Sequence, residues 1–301
     1  MPFGLLTGLG AALAWGTMDI ASALTSRVIG SLRVATGVQV VSAILLAIVA
    51  IATRTALPTD PTTLVICALL GVIGAGAYLA YFTGLQVGPI SVVSGMVAAY
   101  GGLTVVLAVV FRGETLTTTQ AAGAAIATAG VILTGVAFEG GWRATRFAGP
   151  GVVFAVAALV LFALMAITTD IALDYAGWLQ VLLVARIVNS TISVVAVAIL
   201  VLVSRRRAVA NQPAPTDELA IWRRRRVLST LVVAGTLDVI GLISFAIGLE
   251  TAPTWMVGLA SSFGPAVTIV VAVALLGERL KPIQWLGLVG IAIGMVAIAI
   301  P

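Results

Sequence analysis

RGETLTTTQAAGAAIATAGVIL, residues 112–133, returns as LGERLKPIQWLGLVGIAIGMVA, residues 276–297. The two stretches sit inside a longer gapless match of residues 71–136 on 235–300, at a constant offset of 164. Gly113, Glu114, Leu116, Gln120, Gly123 and Gly130 fall on Gly277, Glu278, Leu280, Gln284, Gly287 and Gly294. Upstream, Gly84, Leu85 and Pro89 fall on Gly248, Leu249 and Pro253. A fainter echo at offset 151 sets Thr17, Asp19, Ile20 and Ala21 against Thr168, Asp170, Ile171 and Ala172. The chain is therefore two copies of one unit, taken as residues 1–140 and 149–301.

Both copies are almost wholly apolar. Of the 301 residues 61% are hydrophobic and 9% charged, with a mean hydropathy of +1.20. A soluble domain carries about 25% charge, so this chain reads as an all-α integral membrane protein. The first apolar stretch opens Met1-Pro2-Phe3 without a basic segment, and it reads as a span instead of a removable signal. The lone Cys67 excludes an internal disulfide and a cysteine metal cluster. The absence of histidine excludes imidazole proton relays, His metal sites and His-based triads. No metal or cofactor is expected.

A helix needs about 20 apolar residues to cross the hydrocarbon. Ten segments qualify: 3–25, 33–53, 63–85, 90–111, 117–138, 149–172, 178–203, 228–249, 254–276 and 283–300. Pro89 and Pro253 stand where fourth and ninth helices begin, in the first turn that needs no N–H partner. With five helices per half, an odd number, the halves enter the membrane oppositely. The expected fold is ten transmembrane helices in two inverted five-helix repeats, with substrate near the midplane between them.

The longest connection, 204–227, holds Arg205 to Arg207 and Arg223 to Arg226. It reads as a solvated topology signal, the sharper alternative being a site for anionic lipid headgroups. Nucleic-acid binding is not expected of a loop tethered to the membrane at both ends. Thirteen of the sixteen Lys and Arg lie in the odd-numbered connections. Basic loops stay in the cytoplasm, so both termini are expected outside a plasma or inner cell membrane.

The twin Gly-Glu-x-Leu turns, each followed by Gln and two spaced glycines, resemble the end of the repeat of the EamA family in the drug/metabolite transporter superfamily. Gly264-Pro265 resembles the proline that family carries in its ninth helix; the fourth helix departs, with Tyr100-Gly101 instead. The resemblance implies a ten-helix carrier of small metabolites, often amino acids moving outward, or of drug-like compounds. It also implies a cavity lined by helices one, three, four, six, eight and nine, and cytoplasmic termini, against the charge count. Read physically, Glu114 and Glu278 favour the N-terminal ends of helices five and ten. The glycines seven apart permit close helix contact.

Ionisable groups within a span are functional candidates by default. Asp19, Asp170 and Asp238 are the proton-coupling candidates and Arg186 the ion-pairing one. Asp19 and Asp170 are images in the two repeats and would form a carboxylate pair across a shared cavity. Arg186 is a plausible partner for Asp170, and Arg33 for Asp19. Asp238, whose image is Gly74, has no cation on its own helix. The substrate-binding candidates are aromatic: Trp15, one turn before Asp19; Tyr78 and Tyr81, three apart; Phe245, the image of Tyr81; and Tyr100 and Phe263 in helices four and nine. Aromatic and hydroxyl groups suit a small amphipathic ligand. For Trp142, Trp222 and Trp285 a membrane-interface role is expected. Asn189, Gln39 and the Ser and Thr of helix seven are expected at helix contacts.

These features point to a secondary transporter, not an enzyme. Its substrate would be amino-acid-like or otherwise amphipathic, and export by alternating access is the expected mode, with proton exchange and facilitated diffusion both open. No GxxxxGK[ST] phosphate loop is present. The lipid bilayer and a small-molecule substrate are the expected partners, in a monomer or homodimer. The alternatives are a flippase of lipid-linked sugar or polyprenyl phosphate, an intramembrane enzyme with an Asp19–Asp170 dyad, and a non-transporting membrane partner. A protease site inserted between Pro213 and Pro215 should be cut in inside-out vesicles and protected in intact cells. Cleavage in intact cells would reverse the orientation.

Overall fold

The computed structural model describes residues 2–87, 93, 96–135, 150–208, 219–264, 266–267 and 282–300. Ten helices are placed among them: α1 Pro2–Ile29, α2 Ser31–Ala52, α3 Pro61–Val87, α4 Tyr100–Arg112, α5 Thr118–Gly135, α6 Pro150–Leu173, α7 Trp178–Ala208, α8 Leu219–Thr251, α9 Thr254–Ser261 and α10 Pro282–Ala299. Five are long and apolar enough to cross a membrane, and three further apolar stretches, Met96–Arg112, Thr118–Leu133 and Trp285–Ala299, are shorter. The outer faces stay apolar, as at Ile51, Val65 and Val153, which suits hydrocarbon and not water. This is a multi-pass membrane protein.

Pro89, Trp142, Pro265, Gly277, Glu278, Leu280 and residues 209–218 lie outside the described residues, as do the side chains of Trp222, Gln284, Arg205 to Arg207, Arg223 and Arg224. The Arg-rich connection is nevertheless shorter than the apolar limits suggest. α7 and α8 run on beyond 203 and before 228, to 208 and from 219. Arginine is a good helix former, and 31 residues of α7 span about 46 Å at 1.5 Å each, well past a hydrocarbon core of about 30 Å.

Local chemistry sets the helix ends. Asp60 precedes Pro61, and its carboxylate accepts hydrogen bonds from the Thr63 N–H and hydroxyl, both at 2.9 Å. That is an N-cap followed by proline at the first helical position. These bonds hold the exposed Asp60 carboxyl below its ordinary range. Whatever stability the cap adds is therefore present above that range and is lost as the pH falls through it. Gly113 ends α4 in the left-handed region, φ 65°, where a residue without Cβ fits. Thr117 and Gln120 then form a reciprocal capping box at α5: the Thr117 N–H donates to Gln120 Oε1 at 3.0 Å, and the Gln120 N–H to Thr117 Oγ1 at 3.2 Å. The repeated Gln thus has a structural reason in the first copy.

The packing obeys a twofold rule. α1 packs on α8 as α6 packs on α3; α2 on α8 as α7 on α3; α1 on α9 as α6 on α4. Three pairings join a helix to its own image: α2 with α7, α4 with α9 and α5 with α10. Each runs antiparallel. Thr36 meets Ser193 while Gln39 meets Ser190; Tyr100 meets Ser261 while Thr104 meets Gly258; Gly123 meets Gly294 while Gly130 meets Gly287. Images related by an axis along the membrane normal would run parallel. Antiparallel images place the axis in the membrane plane, the inverted arrangement.

Two kinds of contact fasten the image pairs. α2 and α7 are joined by polar groups: Ser190 Oγ donates to the Gln39 carbonyl at 3.0 Å and Ser193 Oγ to Gln39 Oε1 at 2.9 Å. α5 and α10 meet through glycines, where a Cβ built on Gly130 would lie 2.7 Å from both Gly287 O and Ile291 N. Backbone atoms cannot swing aside, so a side chain there must push the helices apart. Gly130→Ala should lower stability by about 1–3 kcal/mol, read as a lower thermal midpoint in detergent. An unchanged midpoint would contradict this packing.

Candidate functional site

Helices four and nine are interrupted at image positions. Ala99 forms a turn just before α4, and Ser262 and Phe263 form one just after α9, with 99 and 263 separated by the repeat offset of 164. Side chains add to the backbone bonds at this turn: Ser261 Oγ donates to Gly258 O at 2.8 Å and Ser262 Oγ to Leu259 O at 2.7 Å, carbonyls that also accept from the Ser262 N–H. The Ser261 proton is thereby committed, so the Tyr100 hydroxyl donates to Ser261 Oγ at 2.9 Å and ties the two breaks together.

A cavity of about 90 Å³ lies at these breaks. It is walled by α1 (Trp15, Met18, Asp19), α3 (Tyr78, Tyr81), α6 (Phe162, Met165, Ala166) and α8 (Phe245), and by the broken fourth and ninth helices (Val97, Ala98, Tyr100; Ser261, Ser262, Gly264). Ten of the fifteen wall residues fall in image pairs at the two repeat offsets: Trp15 with Ala166, Tyr81 with Phe245, Val97 with Ser261, Ala98 with Ser262, Tyr100 with Gly264. The cavity therefore sits on the twofold axis. One water needs about 10–15 Å³ of such space, so the cavity holds several waters or a small organic molecule.

Phe162 is the hub of the aromatic wall. Its ring lies 5.4 Å from Tyr78 and 6.0 Å from Tyr81, edge-on to both, and 5.9 Å from Tyr100. Trp15 and Phe245 close the opposite side, 5.8 Å apart. Behind Tyr78 lies a buried charge pair: Arg186 Nη2 meets Asp238 Oδ2 at 2.9 Å, with both side chains nearly inaccessible. The Tyr78 hydroxyl donates to Asp238 Oδ1 at 3.2 Å, and the guanidinium lies 5.6 Å from the Tyr78 ring centre.

A second charged network lies beyond the cavity, where α4, α6 and α8 end. Arg112 Nε contacts Asp170 at 2.5 Å, and its two terminal nitrogens contact Asp174 at 2.6 and 3.1 Å. Glu114 accepts from the Thr254 N–H at 2.7 Å and the Trp255 N–H at 3.0 Å. It thus caps α9, in the other half of the molecule.

A family model for the EamA-like transporter family matches twice, over residues 2–136 and 149–300. The chain belongs to the EamA-like transporter family. One solved structure, described only as the crystal structure of a protein, resembles it with a TM-score of 0.77 at 17% identity, over 99% of this chain and 98% of that one; at that identity the likeness concerns the fold alone. No curated protein matches the sequence.

In this EamA protein the cavity gathers Trp15, Asp19, Tyr78, Tyr81, Tyr100 and Phe245. Phe263 does not join them: its ring is buried against Trp255, Met256 and Leu259 in the apolar core, because the turn at 262–263 rotates it off the cavity face. Arg186 does not meet Asp170. It pairs with Asp238, which the sequence left without a cation; the partners stand on α7 and α8, in positions only the folded bundle brings together. Asp170 meets Arg112 instead and does not line the cavity, so no Asp19–Asp170 carboxylate pair forms. Arg33 is exposed and makes no ion pair with Asp19. Glu114 caps α9, not the α5 that follows it, since Thr117 and Gln120 already serve that end. Phe162 and the serines 261 and 262 went unsingled in the sequence. The offset of 164 from Val97 and Ala98 does connect those serines to the chamber, whereas nothing marks Phe162 within its apolar helix.

Removing one partner of a buried ion pair strands the other charge, at a penalty of about 3–5 kcal/mol, whereas replacing both by apolar residues is often near neutral. Asp238→Leu should therefore destabilise strongly, and Arg186→Met with Asp238→Leu should recover most of the loss, measured by thermal unfolding in detergent. A double variant as unstable as the single one would contradict the pairing.

Proposed function

We propose that this protein is a secondary carrier for a small amphipathic metabolite, working by alternating access of its two inverted halves around the chamber at the broken helices. The single observation that carries this reading is the position of the chamber on the twofold axis, walled by image residues of both copies. A site on the axis can be exposed to either side by rocking one half against the other, with the same walls in both states. The interrupted α4 and α9 offer hinges, and the Arg112 and Glu114 contacts hold one end of the two halves together.

The charge bias supports a cytoplasmic α7–α8 connection and so an outward location for that latched end. A chamber filled from the opposite, cytoplasmic side would serve export. A flippase for lipid-linked phosphates would need a free cation in the chamber. Among the described residues, the cation nearest to it, Arg186, is committed to Asp238 behind Tyr78, which speaks against that alternative.

Purified protein in sealed vesicles should move compounds that raise its thermal midpoint, since a ligand of the folded state stabilises it by mass action. Ala98→Trp, which fills the chamber from the wall, should abolish that flux while the protein remains folded. Full flux in the filled variant, or no flux above protein-free vesicles for any compound that binds, would overturn the reading.

A further inference from the structure

The twofold rule that organises the walls breaks at one charged position. Asp19 and Asp170 are images, yet their surroundings differ. Asp170 is held by Arg112 of α4. The image of Arg112 at offset 164 is Leu276, and the image of Asp174 at offset 151 is Ala23. Both charged companions that Asp170 has in one half are therefore apolar residues in the other. Among the described residues, Asp19 makes neither an ion pair nor a hydrogen bond. It is half-buried in the chamber wall and, among the described residues, the only formally charged side chain there. Arg186, behind Tyr78, pairs through Nη2 with Asp238.

We infer that Asp19 is the recognition site for an organic monocation: a protonated primary amine or a quaternary ammonium on an apolar, aromatic-sized body. This inference rests on the carrier reading and names its substrate class. A lone carboxylate within a membrane span takes up a proton or meets a countercharge, and among the described residues no protein cation supplies one. Around it stand faces that suit the same ligand. Trp15, Tyr81 and Tyr100 present π-systems that attract cations, and Phe162 and Phe245 cover an apolar body. Among the described residues, the walls hold no cation for a carboxylate or phosphate. An amino acid with both charges, or an anion, would leave its negative group unpaired in a low-dielectric chamber, which is heavily penalised. The broken symmetry thus removes the internal cation on one side only and leaves its place to the ligand.

The test uses four probes of one shape on the full-length protein: phenethylamine (cation), 2-phenylethanol (neutral), phenylalanine (zwitterion) and phenylacetate (anion). Binding is read by thermal shift and by calorimetry, and transport by flux in vesicles. Phenethylamine should bind, and the other three should bind at least about tenfold more weakly, as expected for the loss of one charge-assisted contact or the gain of one unpaired charge. Asp19→Asn should remove that preference, while Asp19→Glu should keep it. Phenylalanine or phenylacetate binding as tightly as the amine in the native protein, or an Asp19→Asn variant that still prefers the amine, overturns the inference. Should Asp19→Asn fail to fold, the probe series on the native protein decides alone. Amine bound through Asp19 but not carried would refute the carrier reading and leave this inference standing. Flux of the zwitterion without any need for Asp19 would do the reverse.

Discussion

Hydrocarbon offers neither hydrogen-bond partners nor counter-ions, so every polar group that enters it must be answered from within the chain. That constraint explains four polar groupings in this protein. Arg186 and Asp238 answer each other, with the Tyr78 hydroxyl taking a further oxygen. Gln39 is answered by two serines across the α2–α7 seam. Arg112 gathers Asp170 and Asp174, and Glu114 takes the free N–H groups at the start of α9. Asp19, among the described residues, is a formally charged side chain that makes neither an ion pair nor a hydrogen bond, and a charge left so in a chamber wall points to a ligand.

Duplication with inversion supplies the second half of the logic. A helix that meets its own image antiparallel creates an axis, and residues near that axis appear twice around one space. The breaks in the fourth and ninth helices, the Tyr81 and Phe245 rings, and the paired small residues of α5 and α10 all follow from that geometry. The two copies also depart from symmetry. Tyr100 faces Gly264 across the axis, Asp238 stands where the other copy has Gly74, and Asp19 has lost the arginine its image keeps.

Much of this was legible in the residues before any coordinates. The offset of 164 sets the five-helix unit, and hydropathy sets the ten helices. The offset alone also links Val97 and Ala98 to Ser261 and Ser262 and Tyr81 to Phe245. What sequence spacing does not carry is rotation about helix axes and approach between distant helices. Asp238 looked unpartnered because its cation is 52 positions away on another helix. Phe263 looked like a chamber residue because a regular helix would have put it there, and the turn at 262–263 turns it into the core. Glu114 reads locally as a cap for the next helix; only the packed bundle shows that a nearer helix end is already satisfied and a more distant one is not.

The most direct test of the shared, water-accessible chamber uses cysteine chemistry, because a thiol reacts as its thiolate and that form needs water. In a Cys67→Ser background, Tyr100→Cys on the first copy and Met165→Cys on the second should both react with a small methanethiosulfonate reagent. Both should react far faster than Val106→Cys, whose side chain faces outward on α4, and the reaction should be slowed by a bound ligand. Rates at Tyr100→Cys and Met165→Cys as low as at the outward-facing control would mean that no hydrated space joins the two halves, and the account would fail.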